Sequence, residues 1–150
     1  MKTKLFLLTL MSLLVFTSCE KEEPSADVAG TYSGYTSTSF LYSPLPMYAD
    51  NQSASIANEG TTVSVSLNSE TWGNFTATNV TVAKENETYT LTGKGIVSMQ
   101  GMGGVSKDYD FDFTGTTNAS KTDFEFKFVV PAVMGGTTLI LQDGVAPVAE

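Results

Sequence analysis

From about residue 27 onward the chain is predicted to be all-β, with eight short antiparallel strands closed into a single up-and-down barrel. Three observations predict this. Thr, Val, Tyr, Phe and Gly dominate the region, and turn-forming clusters recur about every ten residues. Several stretches alternate apolar and polar residues, and a period of two buries one face of a strand. No stretch of useful length carries apolar residues at helical spacing. A twisted sheet of eight strands loses its exposed edges by closing on itself, and successive short hairpins favour closure over two packed layers.

Residues 30–37 make the expected first strand and residues 54–57 the end of the second, before the turn Asn58-Glu59-Gly60. Residues 61–67 alternate strictly, with Val63, Val65 and Leu67 on one face and Thr62, Ser64 and Ser66 on the other. Val80 and Val82 mark the fourth strand. After the turn Glu85-Asn86-Glu87 the fifth spans residues 89–98, with Gly93 and Gly95 as expected bends or bulges. Residues 100–104, Gln-Gly-Met-Gly-Gly, read as a loop. Tyr109, Phe111 and Phe113 then alternate with Asp108, Asp110 and Asp112. Beyond the turn at residues 118–121, Phe124, Phe126 and Phe128 alternate with Asp123, Glu125 and Lys127. These two strands are expected to form the aromatic wall of the core. Residues 131–136 read as a loop, and residues 137–142 close the barrel.

Upstream, Lys2 and Lys4 precede an uncharged apolar run, residues 5–16, followed by Thr17-Ser18-Cys19. That order is a secretory signal. The run is short of the roughly 20 apolar residues that a membrane-spanning helix needs. Phe16-Thr17-Ser18-Cys19 resembles a bacterial lipobox, with Phe in place of the usual aliphatic residue. The resemblance implies cleavage before Cys19 and lipid attachment at its sulfur, which makes the membrane a partner through acylated Cys19. The polar run after it, residues 20–25, reads as a tether. It also resembles the acidic surface-export signal of Bacteroidetes lipoproteins, which implies an outer-membrane address facing the cell exterior, the periplasmic face being the alternative. The expected organisation is a signal peptide at 1–18, an acylated cysteine and acidic tether at 19–26, the barrel at 27–143 and a tail at 144–150.

Composition removes several function classes. The chain carries 8 Lys plus Arg, all of them Lys, against 16 Asp plus Glu, for a net charge of −8. Loss of Lys2 and Lys4 with the signal leaves 6 − 16 = −10. Binding a phosphate backbone needs clustered Lys and Arg, so nucleic acid is excluded as a partner. There is no His, and the single Cys is Cys19. Disulfides, Cys/His zinc sites, Ser-His-Asp triads and Cys-His dyads are therefore unavailable. No catalytic residue, no cofactor and no metal is expected.

Asp108, Asp110 and Asp112 have the first spacings of a calcium loop, but Phe113 stands where the loop needs Gly and Ala119 where it needs Glu. They read as the wet face of a strand. The stretch Phe40-Leu41-Tyr42-Ser43-Pro44-Leu45-Pro46-Met47-Tyr48 is more informative. Its two prolines argue against a central strand, while its large apolar side chains need a place. It reads as a long loop at the barrel mouth, serving either as a lid over a ligand or partner site or as a plug packed into the barrel end. Trp72, beside Gly73 and Asn74, offers an aromatic face for stacking or for packing. The candidate binding residues are thus Phe40, Leu41, Tyr42, Leu45, Met47, Tyr48 and Trp72.

Gly30-Thr31-Tyr32 is similar to the Gly-x-Trp motif of lipocalins and other calycins, with Tyr for Trp. Together with Trp72-Gly73-Asn74-Phe75, Thr92-Gly93-Lys94-Gly95 and Val130-Pro131-Ala132-Val133-Met134-Gly135-Gly136, it makes residues 27–142 resemble the calycin-like (lipocalin-like) lipoproteins of Bacteroidetes. The resemblance implies a barrel on a lipid tether, with no agreed activity. The Arg that packs on the motif Trp in lipocalins has no counterpart here. The leading expectation is a non-enzymatic barrel holding a small apolar or amphipathic ligand, or a surface partner, at the mouth. The alternative is a structural or protein-interaction module with a filled barrel. An eight-stranded barrel can be either. An interior void favours the first, and an interior filled by Phe111, Phe113, Phe124, Phe126 and Phe128 favours the second.

Overall fold

The computed structural model describes residues 23–100 and 103–148. The signal peptide, Cys19 and the start of the tether lie outside the described residues, as do two residues of the Gln-Gly-Met-Gly-Gly loop. Eight strands run β1 (Gly30–Phe40), β2 (Ser43–Asn58), β3 (Thr62–Ser69), β4 (Gly73–Glu85), β5 (Thr88–Gln100), β6 (Ser106–Asn118), β7 (Phe124–Val130) and β8 (Thr137–Gln142). Each pairs antiparallel with its neighbour in sequence, and β8 returns to β1 to close the barrel. The β1–β2, β3–β4, β5–β6 and β7–β8 connections therefore lie at one end, the mouth. The chain's entry and the other connections lie at the base.

Alternation works as expected at the strands that set the core. Val63, Val65 and Leu67 point inward from β3, Phe111 and Phe113 from β6, and Phe124, Phe126 and Phe128 from β7, all buried. The rings of Phe75, Phe111, Phe113, Phe126 and Phe128 pack tilted or edge-to-face at centroid distances of 5.1–5.9 Å. Edge-to-face packing of this kind adds to the gain from area burial alone. Glycine makes room for it at Gly95, where a Cβ would stand 2.6 Å from Phe111 Cζ.

Gly93 and Gly95 are not themselves bulged, since the β5–β6 register runs unbroken from Thr88 to Gln100. The irregularity is in β4, between Thr78 and Thr81, where Asn79 takes a positive φ of 55°. A Cβ on Gly93 would meet Val80 Cγ2 at 2.8 Å, so the bare glycine leaves space for the bulged β4 side chain.

Two other expectations change. The end of the run read as a tether enters a short helix, α1 (Pro24–Val28), with Pro at the first turn where a missing N–H costs nothing. Its Ser25 and Val28 are buried, and Ser25 Oγ donates to the Gly60 carbonyl of the β2–β3 turn. Tyr32 Oη donates to the Val28 carbonyl at 2.6 Å, and the Tyr32 ring packs on Phe124 and Phe126. The base is thus closed by α1 resting on a buried tyrosine.

The second change is at the mouth. The segment expected as a loop is β-structure, with β1 and β2 continuing to a tight turn at Leu41 and Tyr42. The prolines at 44 and 46 are compatible with this because β2 pairs with β1 alone there. The ladder itself is irregular between Thr38 and Phe40.

Candidate functional site

β2 pairs with β3 only from Ala54 to Asn58, five positions, the shortest ladder in the barrel. Above Ala54 the two strands part. Residues 43–53 of β2 keep β1 on one side and, among the described residues, have no strand on the other. With the end of β1 they form an arm at the mouth.

The apolar side chains at the arm's tip are not packed into the barrel end. Leu41 is 69%, Tyr42 78%, Leu45 78% and Met47 53% exposed. The arm is braced from below, where Leu41 N donates to the Gly136 carbonyl at 3.1 Å. Gly135 sits so close that a Cβ there would stand 2.9 Å from the Tyr42 ring.

The candidate residues divide into four groups. Phe40 and Trp72 meet edge-to-face with centroids 5.1 Å apart, both half-buried, and Trp72 N is held by Ser69 Oγ at 3.1 Å. Met47 stands opposite the inward-facing Thr38, on the inner face of the ladder. Leu41, Tyr42 and Leu45 are the exposed tip. Tyr48 pairs with Ser37 on the outer face, where its ring lies 6.2 Å from that of Tyr35. Tyr35 Oη in turn donates to Gln142 Oε1, and Gln142 Nε2 to Glu125 Oε2, each at 2.8 Å. The structure therefore joins Phe40 to Trp72 and sets Tyr48 apart from both.

Sequence reasoning missed Val105 and Met134, exposed apolar residues in the β5–β6 and β7–β8 connections at the same end. The only signal for Met134 was the Pro-Ala-Val-Met-Gly-Gly stretch, whose glycines at 135 and 136 have positive φ. Thr38 Oγ1, buried beside Met47, has no hydrogen-bond partner.

Charge is unevenly placed. Val28 to Ala49 carry none, and between Lys21 and Lys84 the chain has no Lys or Arg. Asp50 lies on the arm itself, and Glu70 lies in the β3–β4 turn at the same end of the barrel. Asp50 Oδ1 accepts from Ala146 N at 2.8 Å.

Elsewhere, Asp108, Asp110 and Asp112 lie on the exposed face of β6. Asp108 accepts from Ser98 Oγ at 2.5 Å, and Asp112 lies 3.8 Å from Lys94 Nζ. Asp110 and Asp112 line an open cleft of about 390 Å³ with Lys94 and Pro131. Among the described residues no three His, Cys, Asp or Glu come together as a metal-binding group.

A family model described as a calycin-like beta-barrel domain matches residues 28–140. Among solved structures, a "putative outer membrane protein" of Bacteroides fragilis superposes with a TM-score of 0.64 at 26% identity. The match covers 82% of this chain and 46% of that one, so this chain spans less than half of that protein's length. None of the curated proteins compared matches the chain.

Proposed function

The chain belongs to the calycin-like β-barrel domain family, and from that premise we propose that it is a non-enzymatic, lipid-anchored protein-interaction module of the outer membrane, docking through the β1–β2 arm. One contrast carries this reading: the barrel interior is occupied by phenylalanine rings while Leu41, Tyr42, Leu45 and Met47 stand in solvent. A barrel serving a small apolar ligand would place its apolar surface inside. A docking module places it outside, where contiguous exposed apolar residues mark a contact with a partner.

The lipobox-like Phe16-Thr17-Ser18-Cys19 and the outer-membrane name borne by the similar Bacteroides fragilis protein support this address. The chain enters the barrel at the base, through α1, and the arm is at the opposite end. An anchor at Cys19 would therefore hold the arm roughly 30 Å beyond the base, from the rise of about 3.3 Å per residue along tilted strands. The arm is then the part of the molecule farthest from its own membrane.

A photo-crosslinking residue in place of Tyr42, in intact cells, tests the proposal. It should yield one discrete adduct with a surface protein, and the same residue in place of Thr114, exposed on the outer face of β6, should not. Equal adducts at both positions, or none at Tyr42, would overturn it, as would a stoichiometric small molecule released on unfolding.

A further inference from the structure

Resting on that docking role, we infer how the partner is held: the free edge of β2, residues 47–53, takes up an extended, cationic segment of a partner protein as an added β-strand. The first observation is the edge itself. Residues 47–53 follow the prolines, so every one of them has a backbone N–H. They run along β1, with a bulge at Asp50 and Asn51, which stand together against Tyr35 and where Asn51 takes a positive φ of 56°, and no strand of the described residues pairs with their other side. Unpaired strand edges of this kind are templates for another chain. The mouth end of β6, residues 106–111, is also paired on one side only, but the β2 edge, exposed by the parting of β2 from β3 above Ala54, is the one continuous with the exposed Leu41, Tyr42, Leu45 and Met47.

The side chains supply specificity. Met47 is half-exposed on the inner face of the ladder, the face that also carries Phe40 with Trp72 packed on it. An added strand lying beside β2 could set an apolar side chain against Met47. Charge then selects the occupant. If the β2–β3 register (Ala54 opposite Leu67) were continued past its last pair, Glu70 would fall level with Asn51, next to Asp50. Neither carboxylate has a salt-bridge partner among the described residues.

A second copy of this chain, antiparallel at the same edge, would bring Asp50 near its own counterpart between two strongly acidic bodies. Like charges so placed oppose pairing. A partner strand bearing Lys or Arg meets Asp50 and Glu70 favourably, and its backbone pairs with residues 47–53.

Trp72 is the only tryptophan and reports directly on this corner. The full chain in mild detergent is titrated with a capped heptapeptide alternating valine and lysine, with its valine–glutamate counterpart, and with a fully N-methylated lysine form. The lysine peptide should shift Trp72 fluorescence saturably and protect the amides of residues 47–53 from exchange. The other two peptides should bind roughly tenfold more weakly or worse, the first through charge and the second through lost backbone pairing.

Asp50→Asn, which keeps the acceptor for Ala146 N, should weaken the lysine peptide several-fold. Equal binding of all three peptides, protection outside residues 47–53, or self-association that buries this edge without peptide would each overturn the inference. Failure of all three peptides alongside a specific Tyr42-position adduct would overturn strand addition while leaving the docking role standing.

Discussion

Tyr89 Oη donates a 2.9 Å hydrogen bond to Asp27 Oδ2, joining a fully buried residue of β5 to the helix that closes the base. Sixty-two residues separate the two in sequence. The bond ties the point where the chain enters the barrel to a strand on its far side. Ser25 to Gly60 and Tyr32 to Val28 complete the closure. The base is the end closed by side-chain hydrogen bonds, and the mouth is the end that offers apolar surface.

Tyr89→Phe should therefore destabilise the domain by about 1 kcal/mol, the scale of a typical hydrogen bond, because this one is only partly buried. The ring volume stays, so no cavity adds to the loss. Denaturant midpoints of the variant and parent, with unchanged slope, measure it. A loss below a few tenths of a kcal/mol would show the α1 closure to be incidental.

Burial pushes the Tyr89 phenol above its ordinary value near 10, and the hydrogen bond to Asp27 pushes the same way. Tyr32 is raised too, chiefly by burial. A raised folded-state value means that the neutral phenol is the form the fold favours. Its contribution is fully present below the unfolded value of about 10 and is lost as pH rises through the higher folded value. Stability followed by circular dichroism should hold through neutral pH and fall above about pH 10. In Tyr89→Phe the fall should be shallower.

The fold was legible because period-two alternation is a local property, and each of the three clearest strands shows it without help from the rest. The inward positions of Phe111, Phe113, Phe124, Phe126 and Phe128 follow from their polar neighbours alone. The arm was not legible. Prolines at 44 and 46 argue against a strand paired on both sides, and whether β2 has a second neighbour at that height depends on where β3 stops, which no local pattern states. The helix at the base was hidden for a related reason: Ser25 and Val28 are too few to make a periodic signal, and their burial depends on Gly60 and Tyr32 arriving beneath them.

Core and arm should respond oppositely to truncation. Phe128, fully buried against Phe75, Phe111 and Phe113, should cost about 3–5 kcal/mol on change to Ala. Leu45→Ala, in solvent, should stay within about 0.5 kcal/mol. Phe40→Ala should fall between the two, because the half-buried ring loses its contact with Trp72. Thermal melts of the three variants give the order directly, and a Leu45 loss as large as that of Phe128 would restore the plug that the exposed arm contradicts.

Gly95→Ala tests whether the aromatic core needs the bare glycine. A Cβ there would lie 2.2 Å from the Thr76 carbonyl oxygen and 2.8 Å from Ala77 Cα, both backbone atoms of β4, besides touching Phe111. The strand itself would have to move, so a loss of about 1–3 kcal/mol is expected from overpacking. Gly60→Ala has open space but a positive φ of 100°. Its loss should come from backbone strain and leave the Phe111 environment unchanged in aromatic-region NMR spectra, whereas Gly95→Ala should shift it.

The anchor is tested by one atom, the Cys19 sulfur, which lies outside the described residues. One acyl chain binds a membrane only marginally, at about 0.8 kcal/mol per buried methylene, and lasting attachment takes two or more on the same cysteine. Cys19→Ser removes every acyl chain at once and leaves the sequence of the barrel unchanged. The variant should move from the membrane fraction to the aqueous phase on detergent partitioning, with the parent's melting temperature. If it stays with the membrane, the lipid anchor is wrong. The arm would then have to be reconsidered as a membrane-contacting element, because its exposed Leu41, Tyr42, Leu45 and Met47 would be the apolar surface left to hold it there.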